Sequence, residues 1–226
     1  IKMPNWVVLF IIAQIWIVYT YASLAKFYPD WIDGTFPELL MKGRAHYWLI
    51  GDLLQHQWVH VGITYFGVLF DLLVVPLLLW KRTRVTVFWI SVFFHLFNSI
   101  VFQIGIFPYM SLAFTVFFFP KQYIQQTFLK SKLFYSDEAY TPPKSAPLIK
   151  TFFAVWFILQ LILPLRHHFI KGEVLWTEEG HRVSWRMMLR SKTGYASFRV
   201  KNLTTGETNY VKLEKYLTQK QRRQLI

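Results

Sequence analysis

The sequence predicts a mostly α protein: a polytopic transmembrane helix bundle, residues 1–165, followed by an α+β extracytoplasmic segment with a β-hairpin, residues 166–226. Three observations predict it. Hydrophobic residues make up 54% of the chain, aromatics 19% and charged residues only 16%, a balance far from that of a soluble domain. Several apolar runs approach the length of about 20 residues that crosses a hydrocarbon core of roughly 30 Å. After residue 165 those runs stop, and the rest of the chain is polar, with 13 basic against 5 acidic residues.

Composition also excludes whole classes of function. Without cysteine there are no disulfides, no thiolate nucleophile, no iron–sulfur cluster and no cysteine zinc site. A net charge of +13 would suggest nucleic acid for a soluble protein. In a membrane protein it sets topology and favours anionic lipid, and no nucleic-acid motif accompanies it here. The chain starts at Ile1 without an initiator methionine and ends in a charged run, as expected of a piece of a longer protein.

The first span is expected over residues 6–25, with Trp16, Tyr19, Tyr21 and Phe27 as interfacial aromatics. Lys26 closes it. A lysine at a helix end ordinarily snorkels to the headgroups; turned into the bundle, it becomes an amine whose charge desolvation disfavours, and so a candidate base. Thr35, Phe36, Pro37 and Glu38 then read as a capping box opening a short amphipathic segment to about Gln57.

A second span is expected over 58–80, with Asp71 at mid-membrane and His60 eleven residues earlier, nearly on the same face at about 100° per residue. A carboxylate at that depth requires a partner, either a structural hydrogen bond or a functional one. Lys81, Arg82, Thr83 and Arg84 form a basic loop that the positive-inside rule places in the cytoplasm. A third span is expected over 85–107, with Ser91, His95, Asn98, Ser99 and Gln103 along one stripe facing the bundle interior. Gly105 and Pro108 interrupt it, so the chain returns through a short or broken span over 104–119, tolerated only inside protein. Five lysines between Lys121 and Lys150 bring the Pro142–Pro143 linker back to the cytoplasm, and a last span, 149–165, crosses outward. Beyond it, Tyr195–Leu203 and Thr208–Leu213, joined by Thr204, Thr205, Gly206 and Glu207, read as a hairpin.

His56 and His60 have a metal-ligand spacing, but membrane di-iron sites need several such clusters and the other histidines are scattered, so no metal is expected. No Gly-rich phosphate loop or GxSxG elbow is present in the sequence.

Three stretches carry a resemblance. IVYTYASLAKFYPDWIDG places Lys26 before a turn of Asp30, Trp31, Ile32, Asp33 and Gly34; FHLFNSIVFQIGIFPY holds His95, Asn98 and Tyr109; and HHFIKGEVLWTEEGHRVSWRMMLRSKTG is followed by a TTGE turn. They resemble the vitamin K-dependent γ-glutamyl carboxylase family and the wider horizontally transferred transmembrane domain group. The resemblance runs from about Val7 to Lys220, with departures. Arg186 stands where an aspartate is usual, His181 near an expected aromatic, and Arg190 and Lys192 where the family has a histidine and an arginine.

The resemblance implies an integral membrane enzyme, in a bacterial inner membrane or the endoplasmic reticulum. It would couple oxidation of vitamin K hydroquinone by O2 to carboxylation of peptidyl glutamate by CO2, with no metal. Lys26 would deprotonate the quinol, whose reaction with O2 yields a base strong enough for a glutamate γ-proton. His95 would act beside it, and Asn98, Asp71 and Tyr109 would hold the cofactor. His167, Trp176, Ser184, Trp185, Arg190 and Lys192 would meet the substrate. The partners implied are membrane lipid and a glutamate-containing protein or peptide. The departures leave open a quinol oxygenase with another acceptor, and a non-catalytic lipid- or quinone-binding module. In that last case Lys26 is an anchor and Asp71, His95 and Asn98 are packing groups.

Overall fold

A computed structural model describes residues 5–128, 130, 145–186, 197–218 and 221. The chain divides into two compact units, 1–189 and 190–226. In that unit α1 (Asn5–Leu24) is followed by a single turn, α2 (Pro29–Ile32), then α3 (Thr35–Lys42) and a 3-10 turn at Leu53–Gln55. The long helices α4 (Gln57–Leu79) and α5 (Arg84–Val101) come next. They are followed by α6 (Phe107–Phe114), prolonged as a 3-10 helix to Phe118, and by α7 (Lys121–Phe128). Finally α8 (Ala146–Ile162) continues as a 3-10 helix over Leu163–Phe169, and α9 (Val174–Thr177) is one turn.

Among the described residues, four helices are long and apolar enough to cross a membrane: Asn5–Leu24, Gln57–Leu79, Arg84–Val101 and Ala146–Phe169. Their outer faces carry Leu9, Trp89, Phe93, Ile100 and Phe152 exposed, as lipid contact requires. The inner faces meet in a core of Ile12, Tyr19, Phe70, Val74, Val75, Leu78, Val87 and Phe118. Small groups let α1 and α4 approach closely: Ser23 is fully buried and donates to the Val68 carbonyl at 3.0 Å. On its other side α1 holds α8 through aromatic contacts of Phe10 with Phe153 and Phe157. Hydrogen bonds add to them, from Trp156 to Gln14 at 2.9 Å and from Gln14 to Gln160 at 3.3 Å.

Local chemistry explains the junctions. Arg84 donates to the carbonyls of Leu78 and Leu79 at 2.9 and 3.1 Å, and Thr83 to that of Leu77 at 2.6 Å. The basic loop therefore satisfies the last carbonyls of α4, where positive charge also complements the helix dipole. The helix expected over 85–107 stops at Val101. Gln103 adopts φ 56°, and Pro108, which fixes its own φ and disfavours helix in the residue before it, sits in the first turn of α6.

The capping box expected at Thr35 does not form. Gly34, at φ 86°, occupies the cap position, the Thr35 amide donates to Asp33 at 2.8 Å, and Glu38 pairs with Lys42 at 2.7 Å. A left-handed residue was needed to turn from α2 into α3, and only glycine adopts that conformation without strain. The helix therefore starts one residue earlier, at the expense of the Thr35 cap. The amphipathic stretch to Gln57 is likewise broken, into α3 and the 3-10 turn.

In the second unit β1 (Arg199–Lys201) pairs antiparallel with β2 (Thr208–Tyr210), Val200 opposite Asn209. The connecting turn is closed by Asn202, whose amide donates to the Glu207 carbonyl at 2.8 Å, and by Gly206 at φ 73°.

Candidate active site in the helical unit

The turn after α1 decides where Lys26 goes. Pro29 starts α2, whose Trp31 is buried against Ala25, Phe36 and Val68 and donates from its indole to the Thr64 carbonyl at 3.3 Å. This folds the chain back over the end of α1, with the Lys26 ammonium nitrogen 5.5 Å from the Trp31 ring. Lys26 does not snorkel. It is 8% exposed and forms a hydrogen-bonded ion pair with Asp71 of α4, itself 6% exposed. The carboxylate that the sequence showed to need a partner finds it in this lysine, rather than in His60, whose Nε2 is bonded to the Leu54 carbonyl at 2.8 Å.

Lys26 and Asp71 line an internal cavity of about 80 Å³ that His95 and Asn98 also line. The remaining wall is largely apolar, with Trp31, Phe94, Phe102 and Phe107 among its residues. His95, 2% exposed, is bonded through Nε2 to the Tyr19 hydroxyl at 2.8 Å, and its ring is bordered by Phe70, Phe94 and Phe107. Its Nδ1 is buried without a hydrogen-bond partner among the described residues. A buried polar atom left in this way costs about 1–3 kcal/mol unless water or a ligand meets it. Asn98 lies three residues on, on the same face of α5, and helps to end that helix, its carbonyl accepting from the amides of Phe102 and Ile104 at 3.2 and 3.4 Å.

Tyr109 is not brought to the cavity. It is 54% exposed, its hydroxyl accepts from Ser99 at 2.7 Å, and the neighbouring Phe107 and Pro108 take the wall positions instead. Gln103 is directed to the Tyr47 hydroxyl at 3.1 Å. The stripe on α5 therefore splits: Ser91, His95 and Asn98 face inward, while Ser99 and Gln103 bond to groups that are exposed.

Beyond α8 the side chains are held mainly by backbone. His167 contacts the Pro164 carbonyl through Nδ1 at 2.8 Å and receives a hydrogen bond from Arg186 on Nε2 at 2.8 Å. Gly180 packs on His167 so tightly that an added Cβ would lie 2.9 Å from that of the histidine. Ser184 is buried and bonds to the carbonyls of Gly180 and His181. Trp185, at φ 56°, has a buried indole nitrogen without a partner among the described residues, whereas Trp176 is 79% exposed. Arg186 is half-buried, and burial lowers its pKa. Burial and the Asp30 carboxylate push the nearby Tyr28 hydroxyl up to about 12, against the opposing charge of Arg186. Arg190 and Lys192 lie outside the described residues.

Tyr19, expected as an interfacial aromatic, is instead buried and bonded to His95. Tyr19 precedes Lys26 by seven residues, about two helical turns, so the pattern of the first span puts both toward one side; that spacing was the available signal.

An apolar helical bundle with helices of spanning length that buries a lysine, a carboxylate and a histidine around one cavity has the build of an integral membrane protein. Two family models account for nearly the whole chain: the HTTM domain over residues 1–123 and the vitamin K-dependent gamma-carboxylase lumenal domain over residues 145–226. The chain belongs to the vitamin K-dependent gamma-carboxylase family, with an HTTM membrane domain. No solved structure matches it.

Proposed function

We propose that the protein carboxylates glutamate side chains of a polypeptide at the expense of a reduced vitamin K-type naphthoquinol. The balance is quinol, O2, CO2 and glutamate converted to quinone epoxide, water and γ-carboxyglutamate. One observation carries the reading: Lys26 is turned inward and lines the same cavity as His95 and Asn98.

The cavity suits a planar, largely apolar ligand with polar oxygens. Its aromatic wall would hold the ring system, and His95 Nδ1 and the Asn98 amide are placed to meet an oxygen. When bound and reduced, the naphthoquinol supplies, with O2, the basicity that a glutamate γ-proton requires and that no side chain provides. The chain's own residues do the rest. Lys26 takes the quinol's acidic proton at Nζ, for which it must be a neutral amine. Asp71, hydrogen-bonded to Lys26, is the group that can hold the proton the amine gives up. The apolar wall excludes water that would quench a strong base. The glutamate would approach from the extracytoplasmic side, past His167, Ser184, Trp185 and Trp176, the substrate contacts that the family resemblance implies.

A second reading, a quinol oxygenase with another acceptor, is favoured by one feature: Arg186 engages His167, filling with a cation the place where the family carries an aspartate. Membranes containing the protein, given reduced vitamin K, O2, labelled CO2 and a glutamyl peptide, separate the two. Epoxide and labelled carboxyl together support the carboxylase; epoxide alone supports the second reading; neither product contradicts both.

A further inference from the structure

Behind His95 stands a residue with no assigned part, Tyr19. We propose that Tyr19 is the positioning residue for His95: its hydroxyl donates to Nε2, which leaves the ring proton on Nδ1, available to a ligand oxygen in the cavity. The inference deepens the reading of this cavity as a naphthoquinol site and rests on that reading for the identity of the oxygen.

Four observations support it. The Tyr19–His95 contact is 2.8 Å between two buried side chains, both of which line the cavity. The Tyr19 ring is itself fixed, edge-on to Phe70 with centroids 6.2 Å apart, so its hydroxyl has one place to be. Around the imidazole the other neighbours are the rings of Phe70, Phe94 and Phe107, which carry no nitrogen or oxygen acceptor for Nδ1. Nδ1 is therefore left for whatever occupies the cavity.

Proton direction follows from the chemistry of the pair. A phenol donates better than it accepts, because its oxygen lone pair is delocalised into the ring, whereas a neutral imidazole has one strongly accepting nitrogen. Ser111 of α6, also buried, lies beside the Tyr19 oxygen and can donate to it, which completes the order serine, tyrosine, histidine, ligand. A ring nitrogen whose role is set by the bond its partner nitrogen makes is a recurrent way to fix a histidine tautomer.

The test uses the whole protein, labelled with 15N-histidine and held in lipid nanodiscs, with His95→Gln to assign the signal. Wild type is expected to show the Nδ1–H tautomer. Tyr19→Phe keeps the ring and removes only the oxygen, so the protein should still fold, with a melting temperature lowered by the unpaired Nε2, while the single tautomer is lost. Binding of 2-methyl-1,4-naphthoquinone, read by tryptophan quenching, should weaken about tenfold. An Nε2–H tautomer in wild type overturns the proposal whether or not the variant folds, and so does a Tyr19→Phe protein with unchanged tautomer and affinity. If the tautomer changes as expected while the naphthoquinone binds neither protein, the positioning role stands and the quinone reading of the cavity falls.

Discussion

Among the helices, Lys26, Asp71, His95 and Tyr19 are buried and bonded chiefly to one another, each polar group backed by a side chain from another part of the chain. In residues 166–186 the pattern reverses: Ser184 bonds to nearby carbonyls, His167 to Pro164 and Arg186, and Trp176 stands in the open. The difference reflects the medium. In hydrocarbon an unpaired polar group is costly, so those that persist are paired or await a ligand; in water a loop can present a side chain at little cost. The polar groups among the helices are thus specified by pairing, and those of residues 166–186 by loop geometry such as Gly180 packed on His167.

That contrast can be broken most sharply at the ion pair. Lys26→Met or Asp71→Leu alone leaves a buried charge unpaired and should cost about 3–5 kcal/mol, while the double replacement should recover most of that loss. Thermal unfolding of the three variants in one detergent gives the coupling; additive effects would mean that the pair is not formed. At His95, replacement by Gln should lower turnover about 100- to 1,000-fold if Nδ1 donates to charge that develops in the cavity. A change confined to KM would move the residue to binding alone.

Smaller effects sharpen the outer boundary of the paired region. Gly34→Ala places a side chain at φ 86° with no contact closer than 3.9 Å, so strain alone acts, and stability should fall by about 1–2 kcal/mol. A larger loss would show that the α2–α3 turn also holds Trp31 over Lys26. Trp176→Ala should change stability by less than about 0.5 kcal/mol, because the ring is exposed. A raised KM for a glutamyl peptide with unchanged quinol affinity would identify it as a substrate contact, and no kinetic change would remove it from the site.

The long helices were legible because an apolar run of spanning length has few other solutions, and the hairpin because Gly206 marks its turn. The requirement that Asp71 have a partner was legible too, since a mid-membrane carboxylate states its own need. The partner was not. Lys26 is 45 residues away, and a lysine at a helix end reads as an anchor until the α2 turn is seen to fold Trp31 over it. The end of α5 at Val101 was hidden because Ile104 to Phe107 is as apolar as a helix. The Thr35 cap was misleading because a cap pattern does not reveal that the preceding glycine must be left-handed. Tyr109 shared a motif with His95, but the helix break between them separates it from the cavity wall.

The most direct measurement joins Lys26→Met to Asp71→Leu, which removes the amine without stranding a charge, and counts epoxide and labelled carboxyl separately in membranes. The double variant should melt close to wild type and form neither product. A folded double variant that still forms epoxide would contradict the assignment of Lys26 as the base.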